Sequence, residues 1–247
     1  MRSFLQLTYM NFKLYLRDPI GTFFTLAFPP LMTVLFGAMY GNDPTPMFGG
    51  YGSMDISMPA YTALILGTMG FMAVPITISS YRESGVLRRF KATALKPVTY
   101  ILADVVANLT ITLVGMIGLV LVGWLLYRVQ FEGRVIAVVL AVIFCGLAMC
   151  AIGYVIASLA RGARTAQVAG MVIFYPMMFL SGASLPLELL PEGIRKVANY
   201  LPLTYVVKLL RGLWFGDTWG DHLLEVAVLG GVLVICTIVA ARFFRWE

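Results

Sequence analysis

Asp104, early in a long apolar run, has Asn108 one helical turn further on, and an ionisable residue at membrane depth is the pattern of a proton or ion relay. Lys96 and the Arg88–Arg89 pair precede it closely enough to neutralise a carboxylate at the end of a span, and that structural role is the expectation here. Glu225, at the edge of another run, reads as interfacial or loop-facing. Other chemistry has little to draw on. His222 is the single histidine, and Cys145, Cys150 and Cys236 lie inside apolar runs without metal-ligand or paired-loop spacing. They read as small packing residues, and no metal site is expected. An intramembrane enzyme needs His, Asp, Glu or Cys clustered at one depth, and here they are scattered. No G-x-x-x-x-G-K-[ST] run and no Gly-Lys dipeptide occurs, so the loop that cradles ATP phosphates is missing. The chain is not expected to be an enzyme.

Three segments suit mechanical rather than chemical work. From Arg2 to Arg17, the side chains of Arg2, Gln6, Lys13 and Arg17 form one narrow polar stripe at helical spacing on an otherwise apolar surface. That is the pattern of a helix lying among lipid headgroups. Arg17-Asp18-Pro19 ends it in an elbow, because Pro19 disfavours helix at Asp18 and can open the next one. In the second segment, Arg82 to Lys91, Val86, Leu87 and Phe90 are spaced to share a face, while Arg82, Glu83, Arg88 and Lys91 are placed to meet water. Gly85 permits a sharp change of direction. Two readings stand: a short amphipathic helix that transmits a push, or a basic connection that only sets topology. The third segment is cut into short pieces by Pro186, Pro191 and Pro202. It reads either as a plug over an outward-opening path or as an ordinary interfacial loop.

These segments need a frame, and composition identifies its solvent. Hydrophobic residues make up 60% of the 247 and charged residues 12%, with a mean hydropathy of +0.88; soluble domains carry about 25% charged residues. Lipid must cover much of the surface. The net charge of +6 does not point to nucleic acid, because the basic residues sit between apolar runs and form no continuous patch. Apolar intervals predict an all-α integral membrane fold in one domain, with six transmembrane helices at 19–40, 58–81, 99–127, 135–159, 165–184 and 222–242. Each is close to the roughly 20 residues that cross a bilayer. Ile194–Phe215 tempts a seventh assignment, but Lys208 and Arg211 would each cost about 2.5–3.5 kcal/mol at a helix centre. Pro202 would also break the backbone ladder in its middle. The segment reads as interfacial or re-entrant helices. Basic residues concentrate at the N-terminus, over 82–97, at Arg161 and Arg164, and at Arg242 and Arg245, which places both termini in the cytoplasm. The first apolar run reads as a retained span rather than a cleaved signal peptide.

The middle of the frame is soft. Met69, Phe71 and Met72 lie in the second span, and Phe174, Tyr175, Met177, Met178 and Phe179 in the fifth. Methionine-rich surfaces repack around varied apolar shapes. Lipid-facing and packing residues have the same composition, so both readings stay open.

Arg17-Asp18-Pro19, then Arg82-Glu83-Ser84-Gly85-Val86-Leu87, then the Ser-Gly…Pro…Leu-Pro…Leu-Pro-Leu-Thr-Tyr series from Ser181 to Tyr205, in that order on six spans, resemble the type-2 ATP-binding-cassette (ABC-2) transporter permeases. The likeness is to the small bacterial drug-resistance kind and covers nearly the whole chain. It implies two permeases, identical or different, embedded in membrane lipid and flanked by two ATPase subunits that carry the ATP and Mg, with no cofactor on this chain. Residues 1–18 would be the connecting helix. Residues 82–97 would be the coupling region, with Arg82, Glu83, Ser84, Gly85, Val86, Leu87, Arg88 and Phe90 meeting a groove of the ATPase. Residues 185–215 would form outer re-entrant helices, with Pro186, Pro191, Pro202, Leu203, Thr204 and Tyr205 as the outer gate. Spans two and five would lie near the dimer axis, which makes Met69, Met72, Phe174, Met177 and Met178 the implied substrate path. The implied function is ATP-driven export of an amphipathic drug, antibiotic or lipid-like molecule across the bacterial plasma (inner) membrane. The alternative is a secondary transporter or channel without an ATPase; inverted repeats or broken spans facing an intramembrane charge would favour it, and neither is found.

Overall fold

The computed structural model describes residues 2–17, 19–46, 49–91, 97–184, 187 and 191–243, and the regular structure among them is entirely helical. After α1 (Arg2–Arg17) comes a continuous stretch of α2 (Pro19–Thr22), a π turn (Phe23–Ala27) and α3 (Phe28–Tyr40). A second stretch joins α4 (Ser53–Thr68), another π turn (Met69–Ala73) and α5 (Val74–Glu83), and is followed by the short α6 (Val86–Lys91). Then come α7 (Pro97–Tyr127), α8 (Val135–Leu159), α9 (Ala163–Leu180), α10 (Glu192–Ala198), α11 (Pro202–Trp214) and α12 (Leu223–Phe243).

Among the described residues, four stretches are long and apolar enough to cross a membrane: Ser53–Glu83, Thr99–Tyr127, Val135–Leu159 and Trp219–Phe243. The predicted span at 19–40 is also helical, with Thr25–Tyr40 a shorter apolar helix, and the one at 165–184 is helical as far as Leu180. α9 carries Arg164 and Gln167 in its first turns. The core centres on α8, where Ala141, Val142, Cys145, Ala148 and Met149 are fully buried. Close approach depends on glycine there. A Cβ on Gly70 would meet the Met149 carbonyl at 2.6 Å, and one on Gly153 would meet the Gly70 carbonyl at 2.3 Å. Small residues at the contact let helix backbones come together where lipid supplies no hydrophobic drive. α12 packs on α8 and α11, buries Leu229 and Ala240, and exposes Val234, Ile235 and Ile238.

The two π turns share one design. Each ends two residues before a proline, Pro29 in the first stretch and Pro75 in the second. Proline has no N–H and crowds the carbonyl four residues back, which here is Thr25 or Phe71. The wide turn gives that carbonyl room. Both carbonyls face a glycine of a neighbouring helix: a Cβ on Gly115 of α7 would lie 2.9 Å from the Thr25 oxygen, and one on Gly170 of α9 would lie 2.1 Å from the Phe71 oxygen. The proline, the turn and the facing glycine form one packing unit.

Two boundaries differ from expectation. Pro202 does not interrupt a helix; it is the first residue of α11, where its fixed φ suits helix initiation and no N–H is needed. The short amphipathic helix expected within Arg82–Lys91 is divided, because α5 continues to Glu83 and α6 begins only at Val86. Gly85, at φ 71°, makes the break in the left-handed conformation that commonly ends helices. Asp18 of the elbow, Pro186 of the outer gate and positions 92–96 of the coupling region lie outside the described residues. Across the elbow, Thr22 Oγ1 donates to the Tyr15 carbonyl at 2.8 Å and the Tyr15 and Thr25 hydroxyls are 2.5 Å apart, so α1 is tied back to the first stretch.

Candidate functional site

At the α6 end of the bundle, Arg82 and Glu83 close α5 on the turn between α8 and α9. The half-buried Arg82 guanidinium donates to the Ala157 carbonyl at 3.1 Å and to the Ala160 carbonyl, the last acceptors of α8. Glu83 Oε1 stands where a Cβ on Gly162 would be, 1.9 Å away, and Gly162 is the N-cap of α9. A cation on a helix C-terminus and a carboxylate at the next N-terminus each complement the local dipole. Arg82 thus holds the α8 side of the turn by hydrogen bonds, and the adjacent Glu83 lies against its α9 side. This corrects the expectation that Arg82 faces water: the extra length of α5 carries it level with the end of α8. Beyond the grip, Ser84 caps α5 with its hydroxyl 2.8 Å from the Ser80 carbonyl. Gly85 redirects the chain, Leu87 is fully buried, Val86 is half-buried and Arg88 is exposed. Phe90 falls within α6, and its side chain lies outside the described residues.

Asp104 is near the same end and is 3% exposed. Its carboxylate accepts a hydrogen bond from the Tyr154 hydroxyl of α8 at 2.7 Å, while Asn108 donates back to the Asp104 main-chain carbonyl at 3.0 Å. Among the described side chains its hydrogen-bond partner is the Tyr154 phenol; Lys96 and the side chain of Arg89, both expected neutralising groups, lie outside the described residues.

The opposite end is organised around another carboxylate. Asp55, 2% exposed in the first turn of α4, accepts from Asn42 Nδ2 at 3.0 Å, the Gly52 N–H at 2.9 Å and the Gln130 N–H at 2.9 Å. Asn42 Oδ1 takes the N–H groups of Met54 and Asp55, and its Nδ2 also reaches the Tyr127 carbonyl at 3.1 Å. Trp214 Nε1, at the end of α11, donates to the Gln130 carbonyl at 3.0 Å. The end of α3, the start of α4, the loop after α7 and the end of α11 are joined in one knot. At its rim the Tyr51 phenol donates to Glu132 at 3.2 Å, and its pKa is raised above the ordinary value by desolvation first and by that carboxylate second.

A family model described as ABC-2 type transporter matches residues 2–215, the stretch that contains both of these sites. The chain belongs to the ABC-2 type transporter family. Nodulation protein J of Rhizobium leguminosarum bv. viciae is 30% identical over 100 residues, covering 40% of this chain and 39% of that protein. Inner membrane transport permease YhhJ of Escherichia coli (strain K12) is 24% identical over 183 residues, 70% of this chain and 49% of the relative. Probable multidrug ABC transporter permease YbhS of the same strain is 22% identical over 195 residues, 78% and 51%. The chain spans about half the length of these relatives or less. Family membership and the four long apolar helices together make this a multi-pass membrane protein.

Within this ABC-2 chain, the remaining sequence-predicted residues fall as follows. Arg17 is the exposed last residue of α1 and Pro19 the first of α2. Pro191 is the N-cap of α10; Leu203 and Thr204 are fully buried in the first turn of α11, and the Tyr205 hydroxyl donates to the Asn199 carbonyl at 2.6 Å. Met69, Phe174 and Met177 are buried in the packed core, with Met72 and Met178 against it. Met69 Sδ accepts from Thr112 of α7 at 3.1 Å, a Cβ on Gly170 of α9 would lie 3.5 Å from Met72 Sδ, and the Phe174 ring is 6.1 Å from that of Phe71. Asn42, Asp55 and Tyr154 were missed. The signal for Asp55 was available in its place three residues after Gly52 at the start of an apolar run, the spacing at which a carboxylate takes the N-cap N–H.

Proposed function

We propose that this chain is the transmembrane permease subunit of an ATP-driven ABC exporter that moves an amphipathic drug, antibiotic or lipid-like molecule out of the cytoplasm or inner leaflet. In this reading there are six spans, the four long apolar stretches together with 19–40 and α9, and both termini are cytoplasmic. Two ATPase subunits supply ATP and Mg and a second permease, identical or not, completes the pathway. The chain itself hydrolyses no ATP. The observation that carries the reading is the junction of α5 and α6. A short helix with an exposed Arg88 projects past Gly85, directly beyond the residues that grip the α8–α9 turn. A push on α6 therefore reaches α5, α8 and α9 together. The α10–α11 pair is the outer gate: Leu203 packs beside Gly67, four turns into α4, so α11 begins about 20 Å along that helix at 1.5 Å per residue and climbs back to the knot at Trp214.

The test is reconstitution of the chain with its ATPase in liposomes, following efflux of a hydrophobic dye and ATP hydrolysis together. ATP-dependent efflux that disappears when Gly85→Pro is introduced, while ATP hydrolysis persists, is expected. Efflux driven by a proton gradient without the ATPase would replace this reading with the secondary-transporter one.

A further inference from the structure

α11 is apolar and buried on most sides, with Leu203, Val206, Leu209, Leu210 and Leu213 in the core, yet it carries Lys208 and Arg211 one turn apart. Because α11 runs antiparallel to α4, both cations stand opposite Ser57 and Tyr61, with Ser184 closing the third side, and all five line one cavity. Ser57 and Tyr61 are one to two turns into α4, about 10 Å from its start. Both cations are half-buried and the Lys208–Asn199 contact is exposed, so their charged groups stand at the rim of this cavity and not in its depth. Lys208 Nζ donates to the neutral Asn199 Oδ1 at 3.0 Å and lies 5.7 Å from the centre of the Tyr205 ring. An ammonium has three donors, so hydrogen-bonding capacity remains beyond that contact.

Size narrows what fits. The cavity measures about 40 Å³, and a water occupies about 10–15 Å³ on this measure. It admits a few waters or one compact polar group, and excludes a drug-sized body. Beside its mouth, Tyr61 is 6.4 Å from Phe36, which stacks on Tyr40 at 6.2 Å, and both Phe36 and Tyr40 are exposed. An apolar tail has a surface to follow.

We infer that the cavity between α4 and α11 holds the anionic head group of an amphipathic molecule, with Lys208 and Arg211 as its cationic wall and the tail lying along Tyr61, Phe36 and Tyr40. This deepens the export reading by naming the charge class of its cargo, and rests on that reading only for the direction of movement. The occupant is the amphiphile, not a free anion.

The experiment uses the full-length chain in a neutral detergent, without ATPase. Binding of dioctanoyl phosphatidylglycerol, dioctanoyl phosphatidylcholine and inorganic phosphate is followed by tryptophan fluorescence and by the shift in thermal midpoint. The phosphatidylglycerol should bind about tenfold or more tighter than the zwitterionic lipid with the same tails, Lys208→Gln should remove about that factor, and Lys208→Arg should keep it. Equal affinity for the two lipids overturns the proposal, and so does unchanged selectivity in Lys208→Gln. Phosphate binding as tightly as the lipid overturns the amphiphile in favour of a free-anion site. Wild-type selectivity alone decides the matter if the glutamine variant does not fold. Charge selectivity that persists while ATP-driven efflux fails would leave this site standing and remove the export reading; the reverse pattern would remove only this site.

Discussion

At the α11 end, chain segments far apart in sequence meet on the buried Asp55 carboxylate, with Asn42, Gly52 and Gln130 all donating to it. At the α6 end, Arg82 holds the α8 side of one turn by its main-chain carbonyls while the adjacent Glu83 lies against Gly162 on the α9 side. A buried carboxylate with every partner fixed is costly to disturb, since opening it strands donors away from water. A grip on helix termini near the surface can slide or reform against water at small cost. The contrast assigns rigidity to one end and movement to the other. Between them, in the second stretch, lies the π turn Met69–Ala73 with Pro75, two of the features at which helices kink.

The comparison is most exposed to failure at Asp55. Asp55→Ala would strand the Gly52 and Gln130 N–H groups and take one of two acceptors from Asn42 Nδ2, and should lower unfolding stability in detergent by about 3 kcal/mol; a loss similar to that of Arg82→Ala would abolish the distinction between the ends. Gly170→Ala comes next. Its Cβ would stand 2.1 Å from the Phe71 oxygen, a backbone atom that cannot swing away, so about 1–3 kcal/mol of overpacking strain is expected. Gly231→Ala, with nothing within 4 Å, is the matched control in the same thermal assay. Arg82→Ala should cost only about 1 kcal/mol while cutting ATP-dependent efflux severely and sparing ATP hydrolysis. Equal loss of both activities would make Arg82 a folding residue and not a link. Arg88→Ala, exposed, should change stability by less than about 0.5 kcal/mol and show its effect in co-purification of the ATPase.

The long spans were legible because lipid exposure demands uninterrupted apolar residues, and α7, α8 and α12 carry them plainly. The Gly85 break was legible for a local reason: only a residue free to take positive φ turns the chain there. Other features depended on distance. Asp55 and Gln130 are 75 positions apart, and each sits at the edge of an apolar run where a polar residue is unremarkable. Arg82 looked solvated because its destination, the end of α8, is set by how far α5 continues and not by its neighbours. Pro202 looked like a breaker until the helix it starts was located. Neither π turn left a mark in hydrophobic periodicity, because residues there are apolar on every side; only the proline two residues on gave a clue.

The second π turn also works as a setting of angle. One residue more than an α turn requires is wound into Met69–Ala73, so α5 leaves it rotated by about 100° from where an uninterrupted helix would point. Deleting a single residue there would keep both halves helical and apolar, yet swing Arg82 and Glu83 round the axis and away from the α8–α9 turn. The direction in which α6 projects is therefore written as a residue count in the middle of the membrane. A one-residue insertion or deletion at that point would re-aim the contact proposed with the ATPase without altering any residue assigned to it.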